Sequence, residues 1–561
     1  MAALQRIPVF LLMLLPVAVV GVAVAYYAVN FPFRDDYALQ DQLLRFRPQD
    51  SPAHAFRYLA YPHQGQLIVL TRLVFLVCLI VGGTLNYYAL ALIGFGFLVG
   101  ILVILYIAFR RAGLPPVYFI PVPFWLFSLQ SYETLLWPTA AIQTYSQMVL
   151  VLITFYLLAR AGRQIRLVAL VPAVLALFSG SSGLVALIAC MLVLFRQRHW
   201  RSAAIWAVTL ILCLGVYPST SALPPVNMPA PAVSLSARIE SFLYTVGSFA
   251  DLTAGLPGRD HQQGLSVGMG IVLVMGCGYF LVRLVINAFR RQNLPFWDDF
   301  FLASSLFLLM LALTSIPVSP GAPAIGLPGQ NRLTSALLVS VVYLYSVYRW
   351  RFYAFRRWEA ISVTLSTVVL SLLSSYWSLE GIVYQHRQTL VSYVNWLQNT
   401  PAGQQQVIRT IHDPSATPFF QQIARLTGPA ALTVDAGTRL DSLREEPDQY
   451  VFVQEGTASP TPTHPDNGTY ILLTSPDRQY LFAAWPAKPV RVPASPEAPR
   501  STPNLFYAQI PKENLRPGRY RIGFLTNEPA NARLNMTNQY ILFSPADQPP
   551  NGQSAQPVAV Q

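Results

Sequence analysis

The most informative polar residues of the sequence are two adjacent carboxylates, Asp35 and Asp36. They follow directly after the first long apolar run, residues 9–29. Adjacent carboxylates at a membrane surface can act as a general base, or they can supply oxygen ligands to Mg²⁺ or Mn²⁺. The alternative is structural: the two side chains pair with Arg34 or cap the helix that starts near Tyr37.

Four further side chains have chemistry that suits a polar substrate. A guanidinium matches phosphate oxygens bidentately, so Arg332, before a late apolar run, is a candidate phosphate ligand, with a snorkelling arginine as the alternative. Trp137 can stack on a sugar whose hydroxyls donate to Glu133, although a Trp at this depth also serves as an aromatic-belt anchor. His63 can orient a substrate or act as a base, and its alternative is a simple interface residue.

Other polar groups are excluded from the candidate site. Asp298 and Asp299 form a second acidic pair, but they lie beside Arg290 and Arg291 and are predicted to be cytoplasmic. The four cysteines lie inside apolar runs without metal spacing, so neither a disulfide framework nor a zinc site is expected. The sequence contains no phosphate-cradling glycine loop followed by Lys-Ser or Lys-Thr, which argues against an ATP-driven pump.

Composition indicates that these side chains belong to a membrane protein. The 561 residues are 53% hydrophobic and 11% charged, with a mean hydropathy of +0.42, whereas an ordinary soluble domain is about 25% charged. The formal net charge of +13 resides in short arginine clusters between apolar runs. Such clusters mark membrane topology and do not indicate a nucleic-acid-binding face.

Charge counting predicts a bundle of about eleven transmembrane helices with a cytoplasmic N-terminus, because an even number of crossings must separate consecutive arginine clusters. A cleavable signal peptide is the alternative for the first run. The predicted spans are residues 9–29, 90–109, 114–128, 142–158, 167–178, 184–195, 203–217, 267–288, 300–316, 333–347 and 361–377.

Residues 66–83 are apolar but are not counted as a span. A crossing here would place Arg110 and Arg111 on the wrong side of the membrane. Arg72 lies near the middle of the stretch, and inserting its side chain at the bilayer centre would cost about 2.5–3.5 kcal/mol of free energy. The stretch is therefore predicted to lie in the outer interface or to re-enter from it, and twelve spans are the alternative.

The chain divides into four predicted parts. Residues 1–379 form the transmembrane domain, which has interfacial helices in its first outer loop and another at 234–252. Residues 380–430 form a helical stalk, 431–545 a β-sandwich on the periplasmic side, and 546–561 a disordered proline-rich tail. The predicted strands, which turn-forming residues separate, are 450–453, 469–474, 479–483, 505–510, 519–526 and 539–543.

This pattern resembles the GT-C superfamily of membrane glycosyltransferases. The resemblance covers residues 6–377 and rests on the first span, the Asp-Asp-Tyr at 35–37 that opens the first outer loop, the segment Tyr-Pro-His-Gln-Gly-Gln-Leu that begins at Tyr61, and the arginine-marked inner loops. Short motifs carry it, so it is more specific for the superfamily than for one activity.

The resemblance implies an inverting glycosyltransferase of the bacterial inner membrane. Such an enzyme moves a sugar from a polyprenyl-phosphate-linked donor to a lipid, glycan or protein acceptor on the periplasmic side. By position, Asp35 or Asp36 would activate the acceptor. The expected partners are the lipid-linked donor, the acceptor and membrane lipids, with no nucleic acid. The rival functions are a lipid-linked glycan polymerase or ligase, a transporter or flippase, and a scaffold that presents the β-domain.

Overall fold

The computed structural model describes residues 6–46, 51–63, 65–160, 163–216, 234–252, 263–290, 295–314, 316, 328–350, 357–399, 419, 442–445, 449–455, 464–487, 505–512, 515–527 and 533–543. The chain forms two compact units. The helical unit comprises Met1–Ala28, Phe46–Val77 and Tyr88–Gly381, and the sheet unit comprises Val29–Arg45, Cys78–Tyr87 and Ile382–Gln561.

The described helices are mostly apolar and vary in length. In chain order they are α1 (Arg6–Tyr27), α2 (Asp36–Phe46), α3 (Pro52–Ala60), α4 (Val69–Gly82), α5 (Tyr87–Arg110), α6 (Pro121–Leu126), α7 (Tyr132–Leu135), α8 (Pro138–Leu158), α9 (Arg163–Val168), α10 (Leu170–Leu177), α11 (Ser182–Arg196), α12 (Trp200–Val216), α13 (Leu235–Gly247), α14 (Gln263–Arg290), α15 (Phe296–Thr314), α16 (Pro328–Trp350) and α17 (Arg357–Asn399).

Six of the described helices are long and apolar enough to cross a membrane, namely α1, α5, α8, α14, α15 and α17. Helices α4, α11 and α12 are apolar but shorter, as is the segment Gln164–Leu177 that contains α10. These long apolar helices confirm the predicted membrane character of the chain. The count of eleven spans stays a prediction.

Residues 114–128 do not form the single long helix that the sequence predicts. The chain makes a 3₁₀ turn over Pro116–Phe119 and continues into the short α6. Prolines at 115, 116, 121 and 123 remove amide donors and clash with a regular helix, which explains the break. The segment is nevertheless inside the unit, since Phe119 and Val122 are buried.

The polar loop between α10 and α11 is buried by its neighbours. The side-chain amide of Gln147 donates to the carbonyl of Gly180 at 2.7 Å, and the Ser182 hydroxyl donates to Oε1 of Gln147 at 2.6 Å. Gly180 has φ +155°, which favours glycine, and a Cβ there would meet the Gln147 side chain. Short paired helices are stable in lipid when neighbouring helices provide hydrogen-bond partners for the polar groups of the connecting loop in this way.

The interfacial helix predicted at 234–252 corresponds to α13 and the 3₁₀ turn Ser248–Ala250. The hydroxyl of Ser234 caps α13 by accepting from Ala237 N at 3.2 Å. Helices α13 and α14 approach closely through two glycines: a Cβ on Gly247 would meet the carbonyl of Ser266, and one on Gly270 would meet that of Leu243. This contact fixes the chain that follows α13.

The sheet unit contains two antiparallel four-stranded sheets, in the orders β1-β2-β6-β5 and β4-β3-β7-β8. Side chains from both sheets share one core, among them Phe452, Ile510, Ile471, Ile522 and Phe543. This is the arrangement of a β-sandwich. The strands are β1 (Ser442–Glu445), β2 (Gln449–Glu455), β3 (Gly468–Thr474), β4 (Gln479–Ala483), β5 (Trp485–Ala487), β6 (Leu505–Pro511), β7 (Gly518–Asn527) and β8 (Arg533–Phe543).

The C-terminal end of α17 packs on the other face of the sheet β4-β3-β7-β8. Leu390, Tyr393 and Val394 share a core with Tyr470 and Leu525. Helix α17 continues without a break past the boundary predicted between residues 379 and 380. Of the predicted stalk, residues 400–418 and 420–430 lie outside the described part of the chain, as does the predicted tail at 546–561.

Candidate functional site

The two adjacent carboxylates differ in burial and in their hydrogen bonds. Asp36 opens α2 and is fully buried, and its Oδ2 accepts a hydrogen bond from the backbone N–H of Phe33 at 2.9 Å. Arg34, which lies between Phe33 and Asp36 in sequence, has φ 49°. Its guanidinium carbon lies 5.0 Å from the centroid of the Phe33 ring. Asp36 therefore holds the turn that leads into α2, which is a structural role. Asp35 is only half-buried and remains the candidate base.

Aromatic contacts fix the backbone on both sides of this carboxylate pair. The ring of Phe31 stacks on Tyr393 of α17 with 4.5 Å between centroids, and the ring of Tyr37 lies 5.3 Å from that of Trp396. Burial raises the pKa of Tyr37 well above its usual value, and the neighbouring Tyr393 and Asp36 add to the rise. Tyr37 is therefore a neutral packing residue, and Asp35 is held on a rigid turn.

Arg332 lies in the first turns of α16 and is 5% exposed. Its Nη1 donates to the backbone carbonyl of Gln130, in the 3₁₀ turn Leu129–Ser131. Among the residues that the structure describes, this carbonyl is the one hydrogen-bond acceptor that we find for Arg332. A guanidinium carries five N–H donors, so donors remain that can serve an anionic ligand.

Gln130 connects Arg332 to a carboxylate that sequence reasoning missed. The Gln130 side-chain amide donates to the backbone carbonyl of Asp251, and the Tyr244 hydroxyl donates to Oδ2 of Asp251 at 2.5 Å. Asp251 is 1% exposed. Burial raises the pKa of Tyr244, and the hydrogen bond to Asp251 raises it further, so this phenol stays protonated and serves as a donor.

A serine attaches the same segment to α16. The Ser335 hydroxyl donates to the carbonyl of Val246, and its oxygen accepts from the N–H of Phe249 at 3.0 Å. The end of α13 and the following turn are thus fixed to the helix that carries Arg332. In sequence, the one signal for this cluster was the acid at position 251 directly after an amphipathic helix.

Glu133 and Trp137 follow Gln130 closely in the chain. Glu133 lies in α7 and is half-buried, and α7 contacts α16, the helix that carries Arg332. Trp137 precedes the first residue of α8 and is 5% exposed. Stacking of a sugar on Trp137 stays a prediction.

His63 lies in a tight turn and is buried. Its backbone N–H donates to the carbonyl of Gln66 at 2.8 Å, and the N–H of Gln66 donates back at 3.0 Å. Gly65 has φ +76°, which permits the turn. His63 thus has a defined structural position, and its predicted role in substrate binding stays a prediction.

Arg72, which the sequence places near the middle of residues 66–83, is fully buried. Its Nη1 donates to the carbonyl of Tyr58 at 2.6 Å, and the guanidinium lies 4.9 Å from the Tyr58 ring centroid and 5.7 Å from that of Tyr61. A carbonyl and two aromatic faces offset part of the cost of burying this cation.

The second acidic pair is part of a structural network. Asp299 pairs with Arg196 and accepts from the Gln197 amide at 2.7 Å, while Asp298 accepts from the Tyr345 hydroxyl at 2.9 Å. These bonds tie the end of α11 and the start of α15 to α16. Their partners are consistent with the exclusion of this pair from the candidate site.

The described residues do not indicate a metal site, and comparison with known proteins does not indicate a family. Within the described ranges, no group of three or more His, Cys, Asp or Glu side chains is placed to hold a metal ion. No family model, curated protein or solved structure matches this chain.

Asp35 belongs to the sheet unit, whereas Arg332, Glu133, Trp137 and His63 belong to the helical unit. The roles of Asp35 in activating the acceptor and of Arg332 in binding phosphate stay predictions.

Proposed function

We propose that this protein is a membrane glycosyltransferase that moves a sugar from a polyprenyl-phosphate-linked donor to an acceptor hydroxyl. The observation that carries the proposal is the setting of Arg332. It is a buried guanidinium at the start of a largely apolar helix, and a backbone carbonyl holds it in place. A fixed planar cation of this kind suits the phosphate of a lipid-linked donor.

The proposed reaction is an inverting displacement at the anomeric carbon. The acceptor oxygen forms a bond to that carbon while Asp35 takes the hydroxyl proton. The bond from the anomeric carbon to the phosphate oxygen breaks, and its electron pair leaves on the lipid phosphate. The transition state resembles an oxocarbenium ion, and a positioned carboxylate typically accelerates such a step by about 10²–10⁴-fold.

The other candidate residues have supporting roles in this proposal. Arg332 binds the donor phosphate and stabilises the charge that develops on it. Glu133 accepts hydrogen bonds from sugar hydroxyls, and Trp137 and His63 contribute to the binding of the sugar. Asp251 and Tyr244 act through Gln130, because their hydrogen bonds fix the carbonyl that Arg332 binds. A Mg²⁺ or Mn²⁺ ion remains compatible with the proposal, and no step depends on it.

The role of Arg332 can be tested by donor binding. We expect Arg332→Gln to weaken binding of undecaprenyl phosphate to the full chain in nanodiscs by about ten- to a hundredfold, the loss expected when a charged hydrogen-bond partner is removed. Thermophoresis of the labelled protein measures the dissociation constant. The matched control is Arg238→Gln, since Arg238 is an exposed arginine on α13.

Equal dissociation constants for the Arg332→Gln and Arg238→Gln proteins would remove the phosphate role of Arg332. Because Arg332 also binds the Gln130 carbonyl, the melting temperature of each variant is measured in the same nanodiscs. Arg332→Lys provides a second variant, which keeps the charge and loses the planar fork. We expect intermediate binding for it.

A further inference from the structure

One face of the sheet β4-β3-β7-β8 is covered over only part of its length. Leu525, Leu534 and Met536 are buried on this face in the core that includes the end of α17. Further along β8, Tyr540 is 47% exposed and Leu542 is 73% exposed. Alternate strand residues share a face, so the even-numbered residues of β8 pass from a covered half of the sheet to an open half.

The strand register confirms that the open half continues the same face. Gly523 pairs with Met536 in the covered half, and Arg521 pairs with Tyr540 in the open half. The irregularity between these pairs shifts the register by two residues, so the alternation of faces is kept. Arg519, which pairs with Leu542, also lies on the open half and is exposed.

A row of side chains crosses all four strands on this open half. Gln479 of β4 pairs with Thr474 of β3, Thr474 pairs with Arg521 of β7, and Arg521 pairs with Tyr540 of β8. Directly opposed residues of an antiparallel pair lie on the same face. The row therefore combines an amide, a hydroxyl, a guanidinium and a phenol along one line.

The two arginines of the open half have defined positions. Nε of Arg521 donates to the Thr537 carbonyl at 2.7 Å, and its Nη2 donates to Oδ1 of Asn538 at 3.1 Å. The guanidinium carbon of Arg519 lies 4.1 Å from the centroid of the Tyr540 ring. An arginine held in this way loses little conformational entropy when it binds a carboxylate or a phosphate.

The charge of this sheet is of one sign. Strands β3, β4, β7 and β8 contain Arg519, Arg521 and Arg533 and no Asp or Glu. Asp477, in the turn between β3 and β4, pairs with its neighbour Arg478 at 3.3 Å. The open half therefore presents positive charge beside exposed aromatic and aliphatic surface, which complements an anionic partner.

We propose that the open half of this sheet, defined by Gln479, Thr474, Arg521, Tyr540 and Arg519, binds an acidic polysaccharide. The partner is a chain of sugar rings that carries carboxylate or phosphate groups. Sugar rings offer apolar faces to Tyr540 and hydroxyls to Gln479 and Thr474, and the acidic groups pair with the two arginines. A peptide added to the edge strand β8 would use backbone groups and leave the row unused. This proposal does not depend on glycosyl transfer.

The test measures binding of the full chain in zwitterionic nanodiscs to three soluble polymers by biolayer interferometry. Polygalacturonate supplies carboxylates, poly(ribitol phosphate) supplies phosphates, and dextran is the neutral control. We expect at least one acidic polymer to bind and dextran not to bind. Arg521→Gln and Tyr540→Ala should each weaken binding by about tenfold or more, whereas Arg533→Gln, which removes a charge outside the row, should change it less than about threefold.

Three results would overturn the proposal. If dextran binds as tightly as the acidic polymers, binding does not require acidic groups. If Arg533→Gln weakens binding as much as Arg521→Gln does, the effect comes from the overall positive charge and not from the row. Binding to phosphatidylglycerol vesicles that requires Arg521 and Tyr540, without binding to either acidic polymer, would identify a membrane surface instead. Melting temperatures of both row variants separate a lost ligand contact from a lost fold, and Arg519→Gln provides a third variant at an exposed position.

Discussion

At the scale of single residues, the two carboxylates of the acidic pair are distinguished by burial and by hydrogen bonding. The distinction depends on a hydrogen bond from Phe33 N to Asp36 and on the full burial of Asp36, both of which follow from how the turn folds. Asp35, half-buried beside it, is the member to which we assign the proposed role of base. Adjacent identical side chains thus differ in burial and hydrogen bonding because of local geometry.

The structural role of Asp36 gives a prediction about stability. Asp36→Ala leaves the buried N–H of Phe33 without its acceptor, at a cost of about 1–3 kcal/mol. Asp36→Asn keeps an oxygen that accepts from that N–H, so its loss should be under about 1 kcal/mol. Thermal unfolding of the full chain in detergent, followed by tryptophan fluorescence, should rank the proteins as wild type, Asp36→Asn, Asp36→Ala. The same melting temperature for wild type and Asp36→Ala would contradict this role.

At the scale of elements, prediction succeeded where local chemistry decides the structure. Five strands were predicted within two residues of their observed bounds because turn residues such as those at 465–468 delimit them. The sixth, predicted at 539–543, begins six residues earlier, at Arg533. The short β1 was missed, and so was β5, whose Pro486 argues against a strand. The predicted span at 114–128 was wrong as a single helix because its prolines break it. Helix α17 joins the predicted span at 361–377 and the first part of the predicted helical stalk in one continuous helix, whose C-terminal end packs on the sheet.

The prediction that residues 66–83 do not cross the membrane can be tested by labelling on either side of α4, the 14-residue helix of this stretch. In a chain without its native cysteines, Ala60→Cys and Thr84→Cys place exposed thiols before and after this helix. We expect a membrane-impermeant maleimide to label both from the same side. Labelling from opposite sides would require a twelfth span.

At the scale of the whole molecule, the candidate binding network could not be read from the sequence. Gln130 meets Arg332 and Asp251 across more than a hundred residues of chain, and no local pattern marks such contacts. What the sequence did provide was the membrane character of the chain. Composition therefore predicted the class of protein, and tertiary contacts alone revealed Asp251, Tyr244 and Gln130.

The predicted topology places the β-sandwich outside the cytoplasm, after the last span. Asp477 lies in the β3–β4 turn and its side chain is 66% exposed, so Asp477→Cys in the cysteine-free chain reports the side of this domain. In intact cells whose outer membrane is permeable to the reagent, we expect an impermeant maleimide to label it. Labelling only after the inner membrane is disrupted would reverse the assigned topology.

The central claim is that Asp35 accepts the acceptor's proton during glycosyl transfer. The most direct test reconstitutes the full chain in proteoliposomes with a panel of undecaprenyl-phosphate monosaccharides and native membrane extract, and measures released undecaprenyl phosphate by mass spectrometry. We predict sugar-dependent release by wild type, a fall of about 10²–10⁴-fold for Asp35→Asn, and near-normal release for Asp36→Asn, which keeps the oxygen that accepts from Phe33 N. Wild-type rates from the Asp35→Asn protein would contradict the claim.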